Sequence, residues 1–261
     1  MLNFIQSHGM LISGLILLVS YIFIASEKIQ KSVVALVGAS LTMLLGLIPL
    51  SLNLQSNVKG VFEYVDFEVI FLLIGMMIIV NIASRSGVFK WMALNLLKAT
   101  KGHPKTVLFA LAAFTAVASA FLDNVTTVVL MMPITFVIAK EFDTDPVPFL
   151  ITEVLASNIG GTATLIGDPP NIIIGTRAGL SFMNFVVELT PIVVIIFLIA
   201  VSLLIFLFRK GLKATPEKME HVANLDNSKT ITNKALMIRS VATLALVILG
   251  FVTHDITHVS A

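Results

Sequence analysis

The sequence SNIGGTATLIGDPPN, residues 157–171, brings glycines, hydroxyl groups, a carboxylate and two prolines into an otherwise apolar segment. Backbone that leaves the helical conformation at membrane depth persists only where protein buries it or where it lines an aqueous cavity. The stretch therefore predicts a membrane helix that is interrupted near its middle, over about residues 148–178.

The composition indicates an integral membrane protein. Hydrophobic residues make up 57% of the chain, charged residues make up 12%, and the mean hydropathy is +1.00, whereas an ordinary soluble domain has roughly 25% charged residues. Several apolar runs reach the ~20 residues that cross a bilayer. The runs are 9–25, 33–50, 69–83, 106–139, 148–175, 185–208 and 235–252. We therefore expect an all-α protein surrounded by lipid.

Other classes of protein find no support in the composition. The formal net charge is only +2, and the basic residues lie beside apolar runs, so nothing indicates a nucleic-acid partner. The chain has no cysteine, which excludes disulfides, thiol nucleophiles and cysteine-based metal sites. No Lys or Arg precedes the first apolar run, so we expect a retained membrane span instead of a cleaved signal peptide.

The distribution of charge predicts the orientation in the membrane. Basic residues without acidic ones occupy 85–105, and six basic residues occupy 209–234, so both segments are predicted to be cytoplasmic. The segment 51–68 has three acidic residues against one Lys, which favours an external position. The N-terminus is then predicted to lie outside the cell membrane.

Residues 106–139 are predicted to form a re-entrant hairpin. Its arms, 106–122 and 125–139, would be only about 25 Å and about 22 Å long as helices, against a hydrocarbon core of about 30 Å. The polar residues Asp123 and Asn124 would lie at its tip. Two short full spans would give the same orientation of the flanking segments, so charge does not separate the two alternatives.

These segments predict three regions. Residues 1–208 hold five spans and the hairpin, 209–234 form a basic cytoplasmic linker, and 235–261 begin a second repeat. An odd number of spans would insert a second copy upside down, as in inverted-repeat transporters. Because the chain stops soon after the span 235–252, we expect it to be part of a longer protein.

Asp123 and Asp168 are the main functional candidates. A carboxylate at membrane depth is costly, so ion coordination or proton relay is the first interpretation. The alternative is helix capping, because Asp168 precedes two prolines and Asp123 opens the second hairpin arm. A helix that starts inside the membrane turns its positive end to the cavity. An ionised Asp168 would favour a metal cation and a neutral one would favour proton coupling.

Polar groups around these carboxylates complete the candidate site. Gly160 and Gly161 would allow the backbone to turn carbonyl groups inward. Oxygen ligands of this kind suit a hard cation such as Na⁺, with Asn124, Asn158, Gly161 and Asp168 as candidates. Glu153, in the same apolar run, would either carry a proton or face the interface beside a loop. The full set of substrate or ion candidates is Asp123, Asn124, Thr126, Thr127, Ser157, Asn158, Gly160, Gly161, Thr162, Thr164, Asp168 and Asn171.

Two motifs resemble a known family. FLDNVTTVVLMMPI, followed by ASNIGGTATLIGDPPNIIIG, is similar to permeases of the ion transporter superfamily of the arsenite-pump and sodium/proton-antiporter type, especially the pink-eyed-dilution P-protein branch. The superfamily includes citrate and dicarboxylate symporters. The resemblance implies an inverted-repeat fold in which a hairpin and an unwound helix meet around ion and substrate, no cofactor beyond a coupling Na⁺ or H⁺, and a homodimer.

The resemblance places the hairpin tip at Asp123, Asn124, Thr126 and Thr127. It places the unwound helix at Ser157, Asn158, Gly160, Gly161, Thr162 and Thr164, with Asp168 opening the second part. The dicarboxylate branch carries Ser-Asn-Thr at the tip, where this sequence reads Asp-Asn-Val-Thr-Thr. This difference argues against assigning citrate or succinate as the substrate.

Three functions follow from these features. The leading hypothesis is a secondary active transporter of a small inorganic or organic ion, coupled to H⁺ or Na⁺. An intramembrane aspartyl protease using Asp123 and Asp168 is an alternative, although only the Gly-Asp half of the Gly-x-Gly-Asp motif is present at Gly167 and Asp168. A passive channel or a membrane scaffold is the third class, and a scaffold would not need two polar interruptions.

Overall fold

Helices are the only regular elements in the residues that the structure describes. The computed structural model describes residues 8–45, 47, 65, 67–225 and 230–257. The helices are α1 (Gly9–Ala25), α2 (Lys31–Leu44), α3 (Phe67–Arg85), α4 (Val88–Ala99), α5 (Pro104–Ser119), α6 (Asn124–Phe142), α7 (Val147–Gly161), α8 (Pro169–Ala178), α9 (Phe182–Phe208), α10 (Pro216–Ala223) and α11 (Lys234–Thr257). The all-α prediction is confirmed. Most of the acidic segment 51–68 lies outside the described residues.

Helices α1 and α2 pair within a first compact unit, residues 1–66. A Cβ atom on Gly38 would lie 2.8 Å from the Ser20 hydroxyl oxygen, so the two helices approach closely at this glycine. Large apolar side chains such as Leu15 and Leu36 stay exposed on this pair, as expected for helices that face lipid. The end of the predicted span 33–50 falls outside the described residues.

The second unit, residues 67–261, has its core around α5, α6 and α7. Apolar side chains of the three helices, such as Leu111, Met131 and Phe149, are almost fully buried. The Phe142 and Phe149 rings stack with centroids 6.4 Å apart and connect the end of α6 to the start of α7. Only 17% of the most apolar stretch of α9 is buried, compared with 39% for α6. Most of the surface of α9 is therefore available to lipid.

Three helices in the described part of the chain are long and apolar enough to cross a membrane alone. They are α6, α9 and residues 234–253 of α11. The pair formed by 69–85 and α4 meets the same condition together but is bent by 60°. The bend lies at Gly87, whose φ of +84° favours glycine. The carbonyl of Thr230 also occupies the place that a Cβ would need there.

The lengths of the hairpin arms differ from those expected. Helix α5 has 16 residues and α6 has 19, which correspond to about 24 Å and about 28 Å. The second arm runs beyond the predicted 125–139 because Lys140, Glu141 and Phe142 continue the helix. The length argument for a re-entrant hairpin therefore applies to α5 and no longer to α6, and the hairpin stays a prediction.

Residues 209–225 of the predicted linker pack within the second unit. Helix α10 contacts the end of α6, where Lys218 Nζ lies 3.1 Å from Asp143 Oδ2 and His221 Nε2 lies 3.2 Å from Glu141 Oε2. Val222 of α10 is fully buried in the core. These contacts hold the basic segment beside the C-terminal end of α6.

Candidate functional site

The predicted hairpin tip is a capped helix start. Asp123 is the N-cap of α6, and its Oδ2 accepts hydrogen bonds from the Thr126 backbone N–H at 2.9 Å and from the Thr126 hydroxyl at 2.7 Å. The Thr127 hydroxyl donates to the Asp123 carbonyl at 2.9 Å. The capping interpretation of Asp123 is therefore correct for one carboxylate oxygen, and Thr126 and Thr127 belong to the same cap.

The predicted break in the following helix is confirmed, but it starts later than the motif suggested. Helix α7 continues through Ser157 and Asn158 to Gly161, and the non-helical stretch is 162–168. The hydroxyls of Ser157 and Thr162 donate to carbonyls of the same helical segment, those of Val154 and Ile159. These two side chains are accordingly engaged locally in this conformation.

Asp168 occupies the N-cap position of α8 without capping it. Its backbone is extended, with φ −145° and ψ 135°, and its side chain makes no hydrogen bond to the first turn. Pro169 follows at the first helical position. The position was predicted correctly, whereas the carboxylate itself is left available, in contrast to that of Asp123.

Side chains within the break close it into a compact loop. The Asn171 amide donates to the carbonyls of Gly161 at 3.2 Å and Thr164 at 2.9 Å. The Gly167 backbone N–H donates to the Thr164 hydroxyl oxygen at 3.2 Å. The carbonyl groups freed by the end of α7 are thus paired with protein donors, as membrane depth requires.

The two interruptions are in direct contact. The Asn124 side-chain amide donates to the Asn158 side-chain oxygen at 2.9 Å, and the Thr164 hydroxyl donates to the Ala120 carbonyl. Both hydrogen bonds join the turn between α5 and α6 to the α7 end of the broken helix. Helix α6 begins at the first interruption, directly after Asp123, and α8 begins at the second, directly after Asp168.

Glycines make this contact possible by their size. A Cβ on Gly160 would overlap the carbonyl oxygen of Ala116 on α5, and a Cβ on Gly167 would overlap the carbonyl oxygen of Gly161. Among the described residues, positive φ angles of glycine occur at 87, 102 and 179. Gly160 and Gly161 therefore do not turn the backbone as expected, because both are helical. Gly160 instead allows α7 to pack closely on α5.

A small cavity lies beside the tip. Its volume is about 20 Å³, and a cavity needs roughly 10–15 Å³ to hold one water-sized group. Asp123, Thr126 and Pro169 line one part of it, and apolar side chains of α3, such as Met76 and Val80, line another. The cavity therefore places Asp123 and the start of α8 around one small enclosed space.

The residues predicted to hold Na⁺ are Asn124, Asn158, Gly161 and Asp168, and hydrogen bonds do not connect all four. The Asn158 side-chain oxygen is occupied by Asn124, and the Gly161 carbonyl is occupied by Asn171. Among the described residues, no group of three or more His, Cys, Asp and Glu side chains is arranged to hold a metal ion. Each of these two oxygens keeps a second lone pair, and the Na⁺ site stays a prediction.

The structure also reveals polar groups that the motifs did not single out as a site. The hydroxyl oxygen of Thr135 on α6 lies 2.6 Å from Oε1 of the buried Glu153 on α7. Thr115 and Ser119 of α5 are fully buried with hydroxyls that have no described partner. The spacing of Thr115 and Ser119, four residues apart in an apolar helix, was the available signal for a polar face on α5.

An all-helical membrane protein with a helix interrupted by a polar, glycine-rich loop is typical of membrane transporters. Comparison with known proteins agrees with this class. The chain belongs to the citrate transporter family, whose characteristic sequence matches residues 21–261. The family is described as that of a citrate transporter, which supports a role in membrane transport and gives no support to the protease hypothesis.

Several curated relatives are similar over most of the chain. A 46 kDa membrane protein of Mycobacterium leprae is 41% identical over 243 residues, which are 93% of this chain and 56% of the relative. An uncharacterized transporter of Mycobacterium tuberculosis is 40% identical over 244 residues, 94% of this chain and 56% of the relative. The P protein of Mus musculus is 36% identical over 194 residues, 72% of this chain and 23% of that protein. The chain thus spans about half the length of the mycobacterial relatives.

Proposed function

We propose that the chain is part of a secondary active transporter of a small inorganic or organic ion, coupled to H⁺ or Na⁺. The observation that carries this proposal is the joining of two polar interruptions by the Asn124–Asn158 and Thr164–Ala120 hydrogen bonds. Interrupted helices that meet in this way bring helix ends and polar side chains together inside the membrane. The substrate, together with Na⁺ where Na⁺ is the coupling ion, would bind between Asp123 and Asp168.

The chemistry of the site suits both signs of charge. The N-terminal ends of α6 and α8 favour an anion, whereas Asp123 and Asp168 favour a cation or a proton. A site of this kind can bind an anion together with a cation or exchange a cation for protons. The name of the family supports a carboxylate such as citrate, while the Asp-Asn-Val-Thr-Thr tip leaves arsenite, another oxyanion and Na⁺ as further candidates.

Ion flux in proteoliposomes tests the proposal. The protein, expressed at its natural length, is reconstituted with an internal pH dye, and Na⁺, arsenite and citrate are added in turn under an imposed gradient. Proton movement evoked by Na⁺ alone and lost in Asp168→Asn would indicate a sodium/proton antiporter. A response to an anion alone would indicate an anion permease. Conduction that neither saturates nor shows counter-flow would contradict a carrier and indicate a channel.

The orientation is part of the proposal. Gly102, in the segment 85–105, is approached by the Met219 carbonyl of α10, so the two basic segments lie at one end of the second unit. This contact supports a common cytoplasmic side for both segments. Because the chain has no cysteine, labelling of a single introduced cysteine reports on that position alone. Cysteines at Lys105 and Lys213 should react with an impermeant thiol reagent from the cytoplasmic side, and one at Ala178 from outside.

We further propose that residues 1–208 form a first repeat, 209–234 connect it, and 235–261 begin a second, inverted repeat. The mycobacterial relatives support this division. The chain covers 56% of their length, which is about the share expected for one of two repeats and the start of the other. Thiol labelling of a natural-length relative on both sides of the membrane tests it. Matching positions of the two repeats should react from opposite sides.

A further inference from the structure

Glu153 is a buried acid that the proposed site does not use. Its side chain is 1% exposed, and it is the one charged residue among the buried side chains in the described part of the chain. It lies on α7, five residues before Asn158 and thus about 7.5 Å along the helix from the contact between the interruptions. A buried acid in an apolar helix is costly to retain, which makes a functional role the first interpretation.

The hydrogen bonds around Glu153 match a protonated acid. The Thr135 hydroxyl oxygen lies 2.6 Å from Glu153 Oε1 and 3.2 Å from the Met131 carbonyl oxygen. A hydroxyl has one hydrogen, so it cannot donate to both a carboxylate and a carbonyl. If Glu153 carries a proton, it donates to Thr135, and Thr135 donates to Met131. The other oxygen, Oε2, has no described partner, which a neutral acid tolerates better than a carboxylate does.

Among the residues that the structure describes, no cation is paired with Glu153. The helices packed against α7 are α5, α6 and α9. Their charged groups lie at helix ends, as the capping carboxylate of Asp123 does, or on exposed surface. These groups are Lys105 of α5, Asp123, Lys140 and Glu141 of α6, and Glu188 of α9. The described ion pairs do not include Glu153.

Buried hydroxyl groups extend from Glu153 toward the break. Ser157 lies one turn beyond Glu153 on the same face of α7 and is 1% exposed. On the adjacent helix α5, Thr115 and Ser119 have unpartnered buried hydroxyls. Ser119 Oγ lies 3.4 Å from the place that a Cβ on Gly161 would occupy. Buried hydroxyl groups thus lie on both α5 and α7.

We propose that Glu153 binds the coupling proton of this transporter at the interface between the broken helix and the second hairpin arm. The inference rests on the proposed transport function. In the described conformation the proton is held between Glu153 and Thr135. Movement of α7 relative to α6 would separate the two side chains and admit water, and the proton would then leave to the side that the site faces. Binding and release of a proton would in this way depend on the position of α7.

Infrared difference spectroscopy tests proton binding without any transport assay. The protein at its natural length, in detergent, is moved between alkaline and acidic buffer, and the C=O band of a protonated carboxyl is recorded in H₂O and D₂O. The band should be lost in Glu153→Gln and kept in the matched control Glu188→Gln, since Glu188 is exposed. Thr135→Val keeps the acid and removes its hydrogen bond, so the band should persist at a shifted frequency. A band unchanged in Glu153→Gln, or unshifted in Thr135→Val, would overturn the proposal.

Flux measurements test the coupling role separately. The probes are Na⁺, arsenite and citrate, added to proteoliposomes. For any probe that the unmodified protein moves, Glu153→Gln should retain exchange and lose accumulation driven by a proton gradient. Accumulation equal to that of Glu188→Gln would contradict the coupling role. If no probe moves in the unmodified protein, the transport function and the coupling role both fail. An infrared band lost in Glu153→Gln would then still assign a titrating carboxyl to this residue.

Discussion

The Asn124 side-chain amide donates a hydrogen bond to the Asn158 side-chain oxygen at 2.9 Å, and this bond joins the tip of the α5–α6 pair to the broken helix. Each side chain is also held by its own helix. The Asn124 oxygen accepts from the Val125 backbone N–H at 2.8 Å, and the Asn158 amide donates to the Val154 carbonyl at 2.8 Å. The direction of both amides is therefore fixed by two partners each.

Asn124→Asp should weaken this junction without changing its shape. The substitution replaces the donor by an acceptor that faces the oxygen of Asn158, and Asn158 can turn its amide only by giving up Val154. The lost hydrogen bond accounts for about 0.6 kcal/mol on average and up to about 1.7, and the added carboxylate is itself costly at membrane depth, so we expect a loss of stability of more than about 1 kcal/mol and slower transport. Thermal unfolding in detergent and initial flux rates measure both.

Asn224→Asp, on the exposed end of α10, is the matched control for Asn124→Asp because it makes the same chemical change away from the junction. Its stability and flux should equal those of the unmodified protein. Equal behaviour of the two variants would contradict a role for the Asn124–Asn158 bond in transport.

Gly160→Ala should disrupt the packing of α5 on α7. The added methyl group would overlap the Ala116 carbonyl, which is backbone and cannot turn away. Overpacking of this kind costs about 1–3 kcal/mol, so the unfolding temperature should fall. Gly75→Ala on α3 is the control, because nothing lies within 4 Å of its added Cβ. A fall in Gly75→Ala as large as that in Gly160→Ala would indicate that helix packing at Gly160 is not the cause.

Local sequence signals predicted part of the site correctly. Asp123 and Asp168 were both placed at helix starts because a short polar residue before a helix, and proline in its first turn, have local physical causes. The end of α7 was predicted too early, since Ser157–Gly161 looks irregular by composition. In the structure this stretch is helical and packs closely on α5 at Ala116, and such tertiary contacts leave no local pattern in a single sequence.

Asp123→Asn and Asp168→Asn should separate capping from charge. Asn is about as good an N-cap as Asp, so Asp123→Asn should keep the cap to Thr126 and remove only the charge. Asp168 makes no capping bond, so Asp168→Ala should leave stability unchanged, whereas Asp123→Ala should lose about 0.5–2 kcal/mol. Thermal unfolding distinguishes these outcomes. Equal losses in the two alanine variants would contradict the different roles seen here.

Transport by the asparagine variants then tests the charge itself. If the carboxylates bind the ion, Asp123→Asn and Asp168→Asn should both lose flux while their unfolding temperatures stay near that of the unmodified protein. Full flux in both variants would return the two residues to a purely structural role and would place ion binding elsewhere.

The pairing of Glu153 with Thr135 shows why the remaining site could not be predicted. The sequence identified Glu153 as an intramembrane acid but allowed either a buried position or one beside a loop. Its partner is 18 residues away on α6, and the pairing depends on how α6 and α7 align. The docking of α10 was not predicted for a similar reason. The basic residues of 209–234 indicated a cytoplasmic linker, while Val222 of α10 and Leu212 before it are buried.

Leu212→Ala should release the α10 region from the core of the second unit. Leu212 is 3% exposed and packs with the main apolar cluster, and removing a buried leucine side chain costs about 2–5 kcal/mol. We expect faster cleavage by trypsin between residues 209 and 225, where several Lys and Arg residues lie. Lys218→Ala is the control, because the exposed ion pair with Asp143 contributes at most about 1 kcal/mol. If Lys218→Ala increased cleavage at the remaining basic residues as much as Leu212→Ala did, charge pairing and not apolar burial would hold this region in place.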